Sequence, residues 1–188
     1  MISKKWLMSA APPAGFSQEL GLSSFHSHLL YSRGVRTRAD IAPYLNADRG
    51  DSYDPLLFPN MDVAVSRLRR AVESKETIGI FGDFDTDGIT GTALLINALK
   101  DIGGAVVPYL PDRVDEGHGL SNAAIDTLAA EGVTLIVTVD TGITSFDEVD
   151  YARTKGVDVI ITDHHLPHDG VPNAVTALNP KIPGGDYP

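Results

Sequence analysis

The segment Gly82-Asp83-Phe84-Asp85-Thr86-Asp87-Gly88 sets carboxylates at every second position, between a short apolar run, Thr77 to Phe81, and a helix-like run, Ile89 to Lys100. Acids in that place stand where a buried strand ends and a helix begins. In an open α/β sheet the carboxyl ends of the strands form the ligand crevice. Like charges gathered there repel one another unless a cation is present. A divalent metal ion held by oxygen ligands explains them economically. The plainer alternative is a glycine-bounded loop whose acids are merely solvated, and the ends of two later strands argue against it.

Those ends come from the pattern that follows. Met61, Ala64, Val65, Leu68, Ala71 and Val72 repeat at helical spacing, with Asn60 as N-cap and with Arg67, Arg69 and Arg70 off the apolar face as a solvated set. Ala105 to Leu110, Thr134 to Val139 and Asp158 to Thr162 read as further strands, and Ala174 to Leu178 as a fifth candidate. Ser121 can cap a helix running to Glu131, and Ser145 with Glu148 makes a capping box for a helix ending at Gly156. Strands that alternate with helices and are apolar on both faces imply an α/β fold: a doubly wound, mainly parallel sheet with right-handed crossovers. The third strand ends at Asp140 and the fourth at Asp163-His164-His165. A parallel sheet puts all of these ends on one edge. Carboxylates with imidazole suit Mn²⁺, Zn²⁺ or Fe²⁺ better than Ca²⁺.

Residues 1–58 read as a short helical N-terminal leader, and 59–188 as the sheet domain. In the leader, Leu22, Phe25, Leu29 and Leu30 fit one helical face. Thr37 to Asp40 has capping-box spacing, cut short by Pro43, and Asp51 to Pro59 reads as a connector. Arg33, Arg36 and Arg38 are read as a solvated face, with a phosphate contact as the alternative. A net charge of -10 argues against nucleic-acid binding by charge alone. It permits a nuclease, because carboxylates that hold metal count as negative only before loading. No apolar stretch approaches the ~20 residues of a membrane span, and no apolar core of a signal peptide follows the start. The absence of cysteine rules out disulfides and thiolate sites and says little of the compartment; the default expectation is a cytoplasmic protein without a membrane segment.

Two lookalikes share the acidic pattern. An EF-hand loop counted from Asp83 requires Glu at its twelfth position, where this chain has Leu94, and a strand stands where a helix should precede. A haloacid-dehalogenase-like phosphatase would use Asp85 as nucleophile and Asp87 as general acid. That reading also wants a lysine, and the only central lysine after the motif, Lys155, lies late in a helix; it also leaves Asp163-His164-His165 without a role.

The D-x-D-x-D-G segment, Val139-Asp140-Thr141-Gly142-Ile143 and the Asp163-His164-His165 triplet, in that order, resemble the DHH phosphoesterase superfamily. Within it the chain is similar to the bacterial single-strand-specific 5′→3′ DNA exonucleases. The stretch Arg113 to Leu120 matches their R-x-x-E-G-Y-G-L with His118 in the tyrosine position, and Trp6, Arg33-Gly34-Val35, Tyr44-Leu45 and Asp54-Pro55 also correspond.

The resemblance implies a two-metal phosphodiesterase using Mn²⁺ or Mg²⁺, acting on single-stranded DNA in repair and recombination. It implies that Asp85 and Asp87 are ligands of two ions, Asp140 their bridge and His164 a ligand of the second ion. Asp83 adds a ligand or supports one. His165 meets the scissile phosphate with Arg113 beside it, and Asp163 orients the loop. Some members place a histidine where this chain has Phe81, which leaves one site to Asp83 or water. The family's fourth motif, an aspartate beyond the histidines, is not met before Pro188, so the expectation is a fragment, inactive by itself. An oligoribonuclease, a cyclic-dinucleotide phosphodiesterase and a non-catalytic nucleotide-binding module are the alternatives.

Overall fold

The computed structural model describes residues 5, 7–42, 53–168, 170–184 and 187. Trp6, Pro43, Tyr44-Leu45 and Asp51 lie outside the described residues. The chain divides into two compact units, Met1–Ser52 and Tyr53–Pro188, where the sequence reading placed the boundary at 58/59.

In the first unit, helices α1 (Phe16–Leu20) and α2 (Ser24–Ser32) bury Phe16, Leu20 and Val35, with Leu22, Leu30, Tyr31 and Ile41 packed against them. The expected apolar face of α2 is only half used. Leu22 and Leu30 join this cluster, while Phe25 and Leu29 are exposed. Asp40 accepts hydrogen bonds from the main-chain N–H groups of Arg36 and Thr37, the back-reaching half of the capping box. Arg36 lies over the Tyr31 ring and donates to the carbonyls of Tyr31 and Val35, so it serves the local fold.

The second unit is built on five strands: β1 (Thr77–Gly82), β2 (Ala105–Tyr109), β3 (Val133–Val139), β4 (Asp158–Thr162) and β5 (Thr176–Leu178). Their order is β2-β1-β3-β4-β5 and every pairing is parallel. Helices α3 (Met61–Glu73) and α4 (Thr86–Asp101) cover one face, where Ala64, Ala71 and Leu99 pack on Ile78, Ile80, Leu135, Val137 and Ile160. Helices α5 (Asn122–Ala130) and α6 (Phe146–Thr154) cover the other, packing on Phe81, Ile136, Val159 and Ile161. Burial on both faces is why these strands read as unbroken apolar runs rather than alternating ones. Thr134 is the extra residue of a bulge opposite Thr77 and Ile78, so Val133 and Leu135 face opposite layers.

Three local readings are corrected. Asn60 precedes α3 in a left-handed conformation, φ 61°, and its side chain caps nothing. Ser145 is buried at the start of α6 but makes no side-chain cap. Arg67 is not solvated: it is 7% exposed and donates to Glu76 at 2.7 Å and to Asp158 at 2.6 Å, tying α3 to the approaches of β1 and β4. Hydrophobic spacing could not place it, because an arginine off the apolar stripe is usually wet.

Candidate metal centre

The strand order reverses beside β1, with β2 on one side and β3 on the other. That is the topological switch point at which open α/β sheets bind ligands. The last paired residues of four strands stand in register, Gly82 with Val139, Val139 with Thr162, and Thr162 with Leu178. The next residues therefore form a row across the carboxyl edge: Asp83, Asp140, Asp163, Asn179. Main-chain bonds continue the ladder one step beyond the strands, from Asp83 N–H to the Val139 carbonyl, Asp140 N–H to Thr162 and Asp163 N–H to Leu178.

Asp140 then leaves the sheet in a left-handed conformation, φ 63°. Thr138 and Thr162 lace the two strand ends beneath it through hydroxyl bonds to the Thr141 and Thr138 carbonyls. The Asp140 side chain is 8% exposed and lies 3.2 Å from His164 Nε2, although its buried Oδ1 is not aligned for a hydrogen bond. Burial, followed by the charge of Asp87, pushes its pKa up to about 6, with His164 pulling the other way.

The acidic segment is gripped by glycine at both ends. A side chain at Gly82 would collide with the Thr92 hydroxyl, and a Cβ at Gly88 would lie 2.5 Å from the Asp83 carbonyl oxygen. Helix α4 starts three residues earlier than the apolar run suggested, so Asp85 is its N-cap and accepts from Gly88 N–H at 3.2 Å, while Asp87 lies in its first turn. The Gly88 donor is the leading reason that the Asp85 carboxyl is held below its usual range. Asp83 is buried, its Oδ1 without a hydrogen bond and 3.8 Å from His118 Nδ1.

Among the described residues, two groups bring ligand atoms within 4.8 Å of one another: Asp83, Asp85 and Asp140, and Asp140, His164 and His165. Asp140 belongs to both. Asp87 is in neither and stands 4.0 Å from His164 Nε2. The donor set, carboxylate oxygens with imidazole nitrogen, suits Mn²⁺, Zn²⁺ or Fe²⁺. The buried and unbonded Oδ1 atoms of Asp83 and Asp140 are the observation that a cation would satisfy.

Asp163 holds the histidine pair. Its Oδ1 accepts from the main-chain N–H of His164 at 2.6 Å and of His165 at 2.9 Å and faces His165 Nδ1 at 2.8 Å, while Oδ2 accepts from Ile143 N–H. Burial alone would raise its pKa, yet the donors of His165 and Ile143 outweigh it and keep the carboxylate ionised. The Asp163 bond in turn raises the pKa of His165. Fixing Nδ1 in this way leaves Nε2 as the free ring nitrogen.

The Arg113 to Leu120 loop folds back on Phe84. The Arg113 guanidinium lies 4.9 Å from the Phe84 ring centre and the His118 ring 4.5 Å from it. Glu116 anchors the loop by accepting from Tyr109 OH and Asp112 N–H. Two clefts flank Asp140. One of about 310 Å³ is walled by Phe58, Met61, Leu178 and Pro180 beside His164. The other, about 600 Å³, carries His118, His165, His168 and Lys181. Phe58, Met61, His168 and Lys181 were not singled out as site residues in the sequence; nothing in their spacing marks them as such. Lys155, the lysine wanted by the phosphatase reading, pairs with Asp126 at 2.7 Å near the start of β4, the opposite edge of the sheet.

Residues 77–186, more than half of the chain, match the DHH family, N-terminal domain. The single-stranded-DNA-specific exonuclease RecJ of Bacillus subtilis (strain 168) is 37% identical over 172 residues, covering 92% of this chain and 22% of that protein. RecJ of Dickeya dadantii (strain 3937) is 42% identical over 161 residues, 85% of this chain and 27% of that one. A crystal structure of RecJ in complex with Mn²⁺ from Thermus thermophilus superposes with a TM-score of 0.65 at 26% identity, over 95% of this chain and 25% of that chain. A crystal structure of exonuclease RecJ bound to manganese gives 0.64 at 34% identity, over 70% and 33%. The chain thus spans about a quarter of the length of the relatives it matches.

Proposed function

Because the chain belongs to the DHH family, we propose that its aspartate–histidine edge serves two-metal hydrolysis of phosphodiester bonds in single-stranded DNA, proceeding from a 5′ end. The observation that carries this reading is the sharing of Asp140 between two ligand groups. Asp83, Asp85 and Asp140 would hold one divalent ion, Mn²⁺ or Mg²⁺, and Asp140, His164 and His165 the neighbourhood of the second, with Asp87 beside His164. When bound, such a pair supplies Lewis-acid charge at the phosphate and lowers the pKa of the attacking water. Asp163 holds His165 to donate toward a phosphate oxygen, and Arg113, which lies over the Phe84 ring within the acidic segment, would add positive charge to meet the substrate. The ladder behind the row keeps these groups fixed before substrate arrives, which is the larger part of what such a site contributes. The RecJ relatives' single-strand specificity favours DNA over a cyclic dinucleotide or short RNA.

The test is Mn²⁺-dependent release of nucleotides from 5′-phosphorylated single-stranded DNA by the protein at the length the cell makes it, against duplex DNA, oligoribonucleotides and cyclic dinucleotides. Preferred cleavage of the single strand, abolished by Asp140→Ala, is expected. Equal activity in that variant, or a preference for either ribonucleotide substrate, overturns the reading.

A further inference from the structure

The fourth member of the row at the sheet edge, Asn179, is neither acid nor imidazole. It is 2% exposed and directly follows β5. Its Nδ2 donates to the His165 carbonyl at 2.9 Å, across 14 residues of sequence, and its Oδ1 accepts from Lys181 N–H at 2.8 Å. β5 also meets the histidine loop through the main chain, where Asp163 N–H donates to the Leu178 carbonyl at 3.0 Å. His165 is thus held on two sides. Asp163 takes its N–H and its ring Nδ1, and Asn179 takes its carbonyl.

We propose that Asn179 is a positioning residue for the histidine pair, clamping the main chain at His165 so that its ring stays on Asp163. The physical reason is coupling between backbone and rotamer. The rotamers open to a side chain depend on its φ and ψ. His165 lies outside any helix or strand, so no ladder fixes those angles. Asp163 by itself holds the N–H side of the residue and leaves rotation on the carbonyl side unopposed. Asn179 closes that freedom, and its own orientation is set by Lys181 N–H. Its influence on catalysis rests on the phosphodiesterase reading; its influence on the His165 ring does not. The sequence signal was slight: an Asn-Pro pair just past the fifth apolar run, on the edge that carries the acids.

Asn179→Asp keeps the shape and the acceptor for Lys181 N–H but removes the donor and sets a carboxylate against the His165 carbonyl. In the metal-free chain, NMR of the His165 Nδ1 proton is expected to show at least tenfold faster exchange with water in this variant, with cooperative melting retained. If the aspartate variant does not fold, Asn179→Ser, neutral and too short to span the bond, is read in its place with the same expectation. In the Mn²⁺-dependent assay the variant is expected to lower kcat about tenfold, with KM little changed, and to add nothing in a His165→Ala background, the non-additivity of residues acting through one group. An unchanged exchange rate, or an equal loss of kcat with and without His165, overturns the proposal. If the parent cleaves no DNA while the exchange rate still responds, the nuclease reading fails and the clamp stands.

Discussion

Asp140 combines a left-handed backbone with a buried carboxylate crowded by Asp87 and Asp85. The left-handed region costs an ordinary L-residue roughly 1–2 kcal/mol, and Asp and Asn tolerate it best. Asp140→Asn therefore keeps the backbone and the shape while deleting the repulsion. It is expected to raise the Tm of the metal-free chain by calorimetry and to weaken Mn²⁺ binding by more than the roughly 10–100-fold typical of residues that only support a ligand, read by titration calorimetry. A lower Tm with unchanged Mn²⁺ affinity would show that the site is not organised by cation demand. The acid itself was legible in the sequence as a lone Asp after an apolar run. Its conformation was not, since nothing in Val139-Asp140-Thr141 signals a positive φ.

Among the elements, the strands were legible because a sheet covered on both faces writes each strand as an apolar run. β4 runs from Asp158 to Thr162, as its residues suggested, and β1 ends one residue beyond its apolar run. Helix starts were less legible. Polar residues conceal them: α4 begins within the acidic segment itself, and α1 lies in a stretch with no repeating stripe. The buried Arg67 was invisible to periodicity because its partners lie 9 and 91 residues away. Its consequence is measurable. Arg67's hydrogen bonds are the leading reason that Glu76 is held below its ordinary value near 4.5. Stability from such a group is complete above that value and is lost as pH falls through the lower folded pKa. Arg67→Ala is expected to cost about 2–3 kcal/mol near pH 7, less than the roughly 3–5 kcal/mol of a fully buried broken pair because Asp158 is half-exposed. The difference from the parent should begin to narrow as pH falls below about 4.5 and close only below the lower folded pKa, where both states protonate Glu76. Urea melts across that range check it, and a difference independent of pH would remove the ion pair from the explanation.

For the whole molecule, a parallel sheet converts a sequence order into a spatial row. Residues from Asp83 to Asn179 meet at one edge because each follows a strand of the same direction and register. That is why the acids and histidines could be collected from the sequence without knowing the strand order. The clefts on either side could not, because their walls come from residues such as Phe58 and Lys181 that share no pattern. In the proposed function the row holds two cations through one shared carboxylate, Asp140. Anomalous diffraction from crystals of the chain soaked in Mn²⁺ tests it most directly. Two manganese peaks roughly 3.5–4 Å apart, both coordinated by Asp140, are expected. Manganese bound elsewhere with none at Asp140, or a single ion that Asp140 does not touch, would contradict it.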